Sequence, residues 1–220
     1  MKSKSKALLL MVCAVLLVVS TIFGTLAYLT AEDAVTNTFT VGNVGLNLDE
    51  AKTNENGVAV ESGERTEEGN EYHLLPGHTY VKDPTVTVTA NSDDAYVRMI
   101  VKVVNVDQLK AALPGDEYYY GTTGMFLLEK LCGGWDSEVW TMAGYTEEGT
   151  TGIYEFRYKE IVAKSDAETE LPALFETITV PGEIDNEHLA KLDAVDILVE
   201  ANAIQADGFD TADLAWAQFK

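Results

Sequence analysis

The stretch AYVRMIVKVVNV, residues 95–106, decides the fold class of this chain. Every second side chain near its centre is apolar: Val97, Met99, Val101 and Val103. Arg98 and Lys102 fall between them, so in an extended chain they project from the opposite face. A period of two residues, rich in β-branched side chains, predicts a strand with one face in the core and the other towards solvent.

Further strands are predicted on either side of this stretch. Similar runs occupy residues 85–89, 153–161, 174–180 and 195–203, and a short first strand is expected over residues 44–48. Helical signal is limited to short pieces over residues 106–113, 186–192 and the carboxyl end. Because no amphipathic helix alternates regularly with the strands, the sequence predicts a mainly β fold, an antiparallel sandwich with short helical decorations.

The helix at the carboxyl end has the clearest signals. Asp210 is expected to cap its first turn, with Asp213 at the third helical position. Its apolar side chains share one face: Ala212, Ala215, Trp216 and Phe219. This pattern predicts that the helix lies on the sheet.

The amino terminus has the order of a secretory signal peptide. Three lysines precede the apolar run over residues 7–24: Lys2, Lys4 and Lys6. Small side chains follow at Thr25 and Ala27, which predicts cleavage before Tyr28 and a secreted product at the cell surface or in the extracellular matrix. An uncleaved segment of this length can also anchor a chain, so contact with a membrane is expected only through residues 1–27.

The remaining residues, 28–220, are expected to form one β-sandwich domain. Residues 28–48 are its amino-terminal segment and first strand, and the polar, acidic residues 51–72 are interpreted as a solvated, flexible loop. Cys132 is the one cysteine in this part of the chain, so no intramolecular disulfide is available. The fold therefore depends on its hydrophobic core.

The charge of the secreted part is strongly negative. Removal of residues 1–27 takes three of the 15 basic residues and none of the 36 acidic ones, which leaves 12 basic residues and a formal net charge of −24. Such a surface repels phosphate backbones, so we expect no binding to nucleic acid. Calcium or a cationic partner suits it, and a solvated surface kept soluble by its own charge is the alternative.

Catalytic and metal-binding patterns are lacking in the sequence. His73, His78 and His188 do not have the spacing of a zinc-protease helix, and no serine stands in a Gly-x-Ser-x-Gly turn. Acidic pairs such as Asp93-Asp94 do not belong to a calcium-binding loop motif. We therefore expect no enzyme activity, no catalytic residues, no cofactor and no metal site.

Two tryptophans are candidates for ligand binding. Trp135 and Trp140 lie close to glycine-rich turns, where exposed rings would stack on a sugar. The alternative is that both rings cover the core or take part in a protein contact. The first interpretation predicts a module that binds glycans or a host ligand.

Two segments near the amino terminus resemble the TasA/camelysin family of Gram-positive bacteria. GTLAYLT, residues 24–30, is similar to the Gly-Thr-x-Ala-aromatic junction of the family, and NTFTVGNV, residues 37–44, resembles its Asn-x-Phe-x-x-Gly segment. Looser similarity continues through most of the chain, to Ala215-Trp216 in the closing helix.

The resemblance implies a jelly-roll-like sandwich that is exported through a signal peptidase of the SipW type and assembles with itself or with other proteins into biofilm-matrix fibres. It also implies strand donation, in which the amino-terminal segment of one subunit completes a sheet of the next. The candidate donor residues are Asn37, Thr38, Phe39, Val41 and Val44. An ordinary edge strand of the same domain is the alternative for this segment. Some relatives have been classed as metallopeptidases, but no motif in this sequence supports that activity.

Overall fold

The computed structural model describes residues 43–113, 128, 131–192 and 194–219. This part of the chain contains eleven strands: β1 (Leu46–Ala51), β2 (Arg65–Thr66), β3 (Thr79–Val81), β4 (Thr85–Val88), β5 (Ala95–Val104), β6 (Cys132–Gly133), β7 (Trp140–Glu148), β8 (Thr151–Tyr158), β9 (Thr169–Glu170), β10 (Thr177–Thr179) and β11 (Asp196–Gln205). It also contains three short helices: α1 (Val106–Ala112), α2 (Asn186–Leu192) and α3 (Ala212–Gln218).

The strands form three sheets in which every pair is antiparallel. The strand orders are β2-β1-β4-β9, β3-β10-β6 and β11-β5-β8-β7. The mainly β fold class predicted from the sequence is therefore confirmed, since residues in strands far outnumber residues in helices in the described part of the chain.

Strand β5 is the centre of the third sheet and has the alternation that its sequence predicts. Its residues are buried and partly exposed in strict succession. Val101 stands opposite Val199 of β11 on one side and Tyr154 of β8 on the other. Because complete burial of one valine side chain contributes about 1.5–3 kcal/mol, the buried face of β5 is a major source of stability.

One hydrophobic core joins the sheets and the first two helices. It includes Tyr80 of β3, Val86 of β4, Phe156 of β8 and Leu109 of α1, together with the fully buried ring of Phe175. Helices α1 and α2 pack against each other. A continuous core across elements that are distant in sequence is what holds such short strands in place.

Strand β7 is absent from the sequence-based prediction because its side chains do not alternate. Its register against β8 shifts between Met142 and Gly144, so a bulge interrupts the period of two. Only Trp140 of this strand is buried. The strand forms through backbone pairing with β8 along nearly its whole length rather than through an amphipathic pattern.

The cap of helix α3 differs from the prediction. Thr211, rather than Asp210, caps α3, because its Oγ1 accepts a 3.3 Å hydrogen bond from the backbone N–H of Leu214. The helix begins one residue later than Asp210 would require.

No helix in the described residues combines the length and the apolar composition that crossing a membrane demands.

The acidic segment 51–72 is more ordered than a free loop, which corrects the interpretation made from its composition. β2 lies within it and pairs with the end of β1. The backbone N–H of Lys52 donates to the carbonyl oxygen of Glu64 at 2.8 Å, and Thr53 forms a bridge with Ala59. The sequence does not predict this order, because the segment is held by backbone hydrogen bonds, which require no regular spacing of apolar residues.

Candidate assembly site

The described chain begins at Asn43, which is tied to the turn between β4 and β5. The backbone N–H of Asn43 donates to Oδ2 of Asp93 at 3.1 Å, and the N–H of Asp93 donates back to the carbonyl oxygen of Asn43 at 2.9 Å. Nζ of Lys164 lies 2.7 Å from Oδ1 of the same aspartate. We call the hydrogen-bonded group Asn43, Gly45, Thr89, Ser92, Asp93 and Lys164 the amino-terminal clasp.

Gly45 is the closest approach within the clasp. Its N–H donates to Oγ of Ser92 at 3.1 Å, and its carbonyl oxygen accepts from the N–H of Thr89 at 3.0 Å. A β-carbon at this position would lie 2.5 Å from Oγ1 of Thr89, so any side chain here would collide. Ser92 is 2% exposed, which places its hydroxyl group inside the domain as a fixed partner.

Charge strengthens the clasp at its surface. The hydrogen bond from Lys164, followed by that from the backbone of Asn43, holds the pKa of Asp93 below its usual value. The same pair raises the pKa of Lys164. The backbone N–H of Asn91, a residue with a positive φ of 62°, donates to the carbonyl oxygen of Ser165 at 2.8 Å and sets the shape of the turn.

Next to the clasp lies a seam at which two strands touch without pairing. Strand β1 pairs with β4 over Leu46–Asp49, but its opposite side meets β2 only at Glu50 and Ala51. Strand β11 is the terminal strand of its sheet and contacts β1. Within the described residues, no strand pairs with the outer edge of β11 or with the outer side of Leu46–Asp49. These backbone edges offer hydrogen bonds to an added strand.

Strand β7, at the other edge of the sheet that ends in β11, is less suitable for pairing with an added strand. Strand β7 has the bulge at Met142 and Gly144 and ends in Glu147 and Glu148, two features that discourage pairing between chains. Strand β11, in contrast, keeps an uninterrupted register with β5 over ten residues. The seam beside β11 is therefore the better acceptor for an added strand.

Helix α3 covers part of the outer face of the same sheet. The guanidinium group of Arg98 lies 4.4 Å from the ring centre of Trp216 and 4.7 Å from that of Phe219. Asp213 pairs with Arg157, the residue directly opposite Arg98 in the sheet. The prediction that this helix lies on the sheet is confirmed, and two like charges in register are compensated by aromatic rings and carboxylates.

Most residues that the sequence singled out at the amino terminus lie outside the described residues: Thr25, Ala27, Tyr28, Asn37, Thr38, Phe39 and Val41. Val44 is described, and it lies between two clasp residues that are hydrogen-bonded to the domain. A donor segment would therefore end before Asn43, and Val44 belongs to the domain from which the segment departs.

The two candidate ligand-binding tryptophans both face the core. Trp140 is 3% exposed, donates from Nε1 to the carbonyl oxygen of Pro172 at 3.0 Å and contacts Tyr158 edge-on. Trp135 is partly buried, with its ring 4.9 Å from Phe156 and 5.3 Å from Phe175. Their placement favours the interpretation that these rings cover the core.

The remaining candidates for chemistry are dispersed. Nδ1 of His188 pairs with Asp185 at 2.6 Å on the surface of α2, and His78 lies beside the ring of Tyr80. Burial raises the pKa of the Cys132 thiol, which makes it a poor nucleophile. Within the described part of the chain, no three His, Cys, Asp or Glu side chains come together as metal ligands.

Comparison with protein-family models, with curated proteins and with solved structures finds no match to this chain. Sequence reasoning missed the contacts of the clasp. The sequence predicts the turn over residues 91–94, but its partners Asn43 and Gly45 lie 50 and 47 residues away from it and give no local signal.

Proposed function

We propose that this protein is a secreted structural protein of the TasA/camelysin type, a fibre subunit of the biofilm matrix that assembles by donation of its amino-terminal strand. The single observation that carries the proposal is the unpaired seam between β1 and β11, beside the point at which the amino-terminal segment joins the domain. The motifs over residues 24–30 and 37–44 supply the family resemblance.

The donor segment has a suitable length. Residues 28–42 are fifteen residues, which span roughly 50 Å when extended at about 3.3 Å per residue. Strand β11 has ten residues, so the segment is long enough to follow it and still cross to a neighbouring subunit. The clasp fixes the origin of the segment, which reduces the entropy that ordering it between subunits would cost.

The negative charge of the chain suits a matrix protein whose assembly depends on salt and pH. Eight of the described basic residues already form ion pairs with carboxylates of the same chain: Lys52, Arg65, Lys82, Arg98, Lys102, Lys110, Arg157 and Lys164. The excess of carboxylates therefore has little compensation within the subunit, and copies repel each other until backbone pairing outweighs the repulsion.

Electron microscopy and light scattering on two forms of the chain test the proposal. The mature chain that begins at Tyr28 should form filaments, whereas deletion of residues 28–41 should leave a folded, β-rich monomer. Because the truncated chain keeps the acceptor seam, it should also cap growing filaments of the mature chain and shorten them.

A synthetic peptide of residues 28–42 tests whether the seam between β1 and β11 is the acceptor. Added in excess, it should occupy the seam and prevent assembly, and a peptide of the same composition in scrambled order should have no effect. Filaments from the truncated chain, or a mature chain that stays monomeric under all conditions, would show that strand donation is the wrong mechanism.

A further inference from the structure

Where the acidic segment meets β1, the side chains of Lys82 and Asn70 converge on the buried carboxylate of Glu50. Nζ of Lys82 lies 2.6 Å from Oε2 of Glu50, and Nδ2 of Asn70 lies 2.8 Å from Oε1 of the same group. Glu50 is 6% exposed and Lys82 is 7% exposed. A primary amine and a carboxamide are thus held on the two oxygens of one carboxylate.

We propose that Lys82 and Asn70 form an intramolecular isopeptide bond, with Glu50 as the catalytic proton carrier. The bond would join Nζ of Lys82 to Cγ of Asn70 and would release ammonia. This inference rests on the three side chains alone and is independent of how the protein assembles.

The surroundings of Asn70 favour attack at its carbonyl carbon. Oδ1 accepts a hydrogen bond of 2.8 Å from the backbone N–H of Thr53, and this donor would stabilise the negative charge that develops on the oxygen. Nδ2 also donates to the carbonyl oxygen of Ala51 at 2.9 Å, so the amide is fixed by three contacts. Reacting groups held in this way react faster than freely rotating ones.

The protons and atoms of the reaction balance without any other reactant. Glu50 takes one proton from the ammonium group of Lys82, and the free amine adds to Cγ of Asn70. Glu50 then passes this proton to Nδ2 as the Cγ–Nδ2 bond breaks, and it accepts the second proton that Nζ gives up. Ammonia leaves, and a neutral secondary amide remains beside a protonated Glu50.

Both the environment and the energetics favour the product. Asn70 and Lys82 line the same cavity of about 800 Å³, which offers a path for the departing ammonia. Tyr80, 1% exposed, and Tyr72, which donates to the carbonyl oxygen of Val81 at 2.8 Å, form an aromatic wall. Since two desolvated charges are costly to keep in a protein interior, their replacement by a neutral amide relieves that cost.

Mass spectrometry of the full chain tests the bond. After denaturation, cleavage on the carboxyl side of Glu71 separates Asn70 from Lys82 unless a side-chain bond joins them. We expect the two peptides to stay linked, with a mass lower by one ammonia than the sum of the masses of the two separate peptides. Cyclisation of Asn70 on its own backbone also loses ammonia, but it leaves the peptides separate and would overturn the proposal.

Variants identify the participants. Lys82→Arg and Asn70→Ser should abolish the link, and Glu50→Gln should prevent its formation because the amide cannot carry the proton. Lys52→Arg, a neighbouring exposed lysine paired with Glu64, is the control that should leave the link complete. If a variant does not fold, the unaltered chain still decides: separate peptides with a free Lys82 and an intact Asn70, recovered from folded protein, would exclude the bond.

Discussion

The hydroxyl group of Thr89 fills the space that a side chain at position 45 would need, because a β-carbon on Gly45 would lie 2.5 Å from Oγ1 of Thr89. This contact makes the clasp depend on a glycine that no turn requires. The backbone hydrogen bonds on both sides of Gly45 leave it little freedom to move away.

Substitution Gly45→Ala should therefore lower the free energy of unfolding by about 1–3 kcal/mol, the usual cost of overpacking. Urea denaturation of the mature chain measures the change. Thr89→Ala should recover part of the loss in the double variant, because it removes the colliding oxygen. Gly144→Ala is the control, since its added methyl group meets nothing within 4 Å and should change stability by no more than about 0.5 kcal/mol.

The ion pair of the clasp predicts a particular dependence on pH. Since the pKa of Asp93 is lowered in the folded chain, its stabilising contribution is present above the unfolded value of about 3.9 and is lost as the pH falls through the folded pKa. Asp93→Asn should therefore melt at a lower temperature than the natural chain near neutral pH.

The difference between the two melting temperatures should shrink below about pH 4 and vanish once Asp93 is protonated in both states. Asp207→Asn changes the net charge equally at an exposed position outside the clasp, so it should leave the melting temperature nearly unchanged. A constant difference across the whole pH range would contradict the assignment of this effect to Asp93.

Helix α3 should owe its position to one buried ring. Trp216→Ala removes a side chain that is 6% exposed together with its contact to Arg98, so we expect a loss of about 3 kcal/mol, the lower end of the range for a buried tryptophan. Leu214→Ala, on the same helix but 53% exposed, should cost less than about 0.5 kcal/mol. Equal losses in the two variants would mean that the helix is not held through Trp216.

Assembly should strengthen as salt is added or as the pH falls toward the sequence pI of about 4.3. The reason is that salt screens the repulsion between like-charged subunits, with a screening length of about 10 Å at 0.1 M and about 3 Å at 1 M. Light scattering across a salt series gives the critical concentration. A neutral osmolyte at equal osmolality is the control, and weaker assembly at high salt would indicate that attraction between charges, rather than backbone pairing, joins the subunits.

Export should produce a chain that begins at Tyr28. Mass spectrometry of the secreted protein measures the terminus directly. Ala27→Leu should reduce processing because the recognition position before the cleaved bond accepts small side chains, whereas Leu26→Ala, between the two recognition positions, should not. A secreted chain that retains residues 1–27 would contradict the signal-peptide interpretation.

The sequence by itself determined the fold class and its strongest elements, because alternation in β5 and β8 and helical spacing in α3 are local patterns set by one buried face. Only the tertiary structure decided the bulged strand β7, the order within the acidic segment, the clasp at Gly45 and Asp93, and the meeting of Glu50, Asn70 and Lys82. These features consist of backbone pairing and polar contacts between residues far apart in the chain. Such contacts leave no periodic pattern in a sequence, since the two partners become neighbours only in the folded chain.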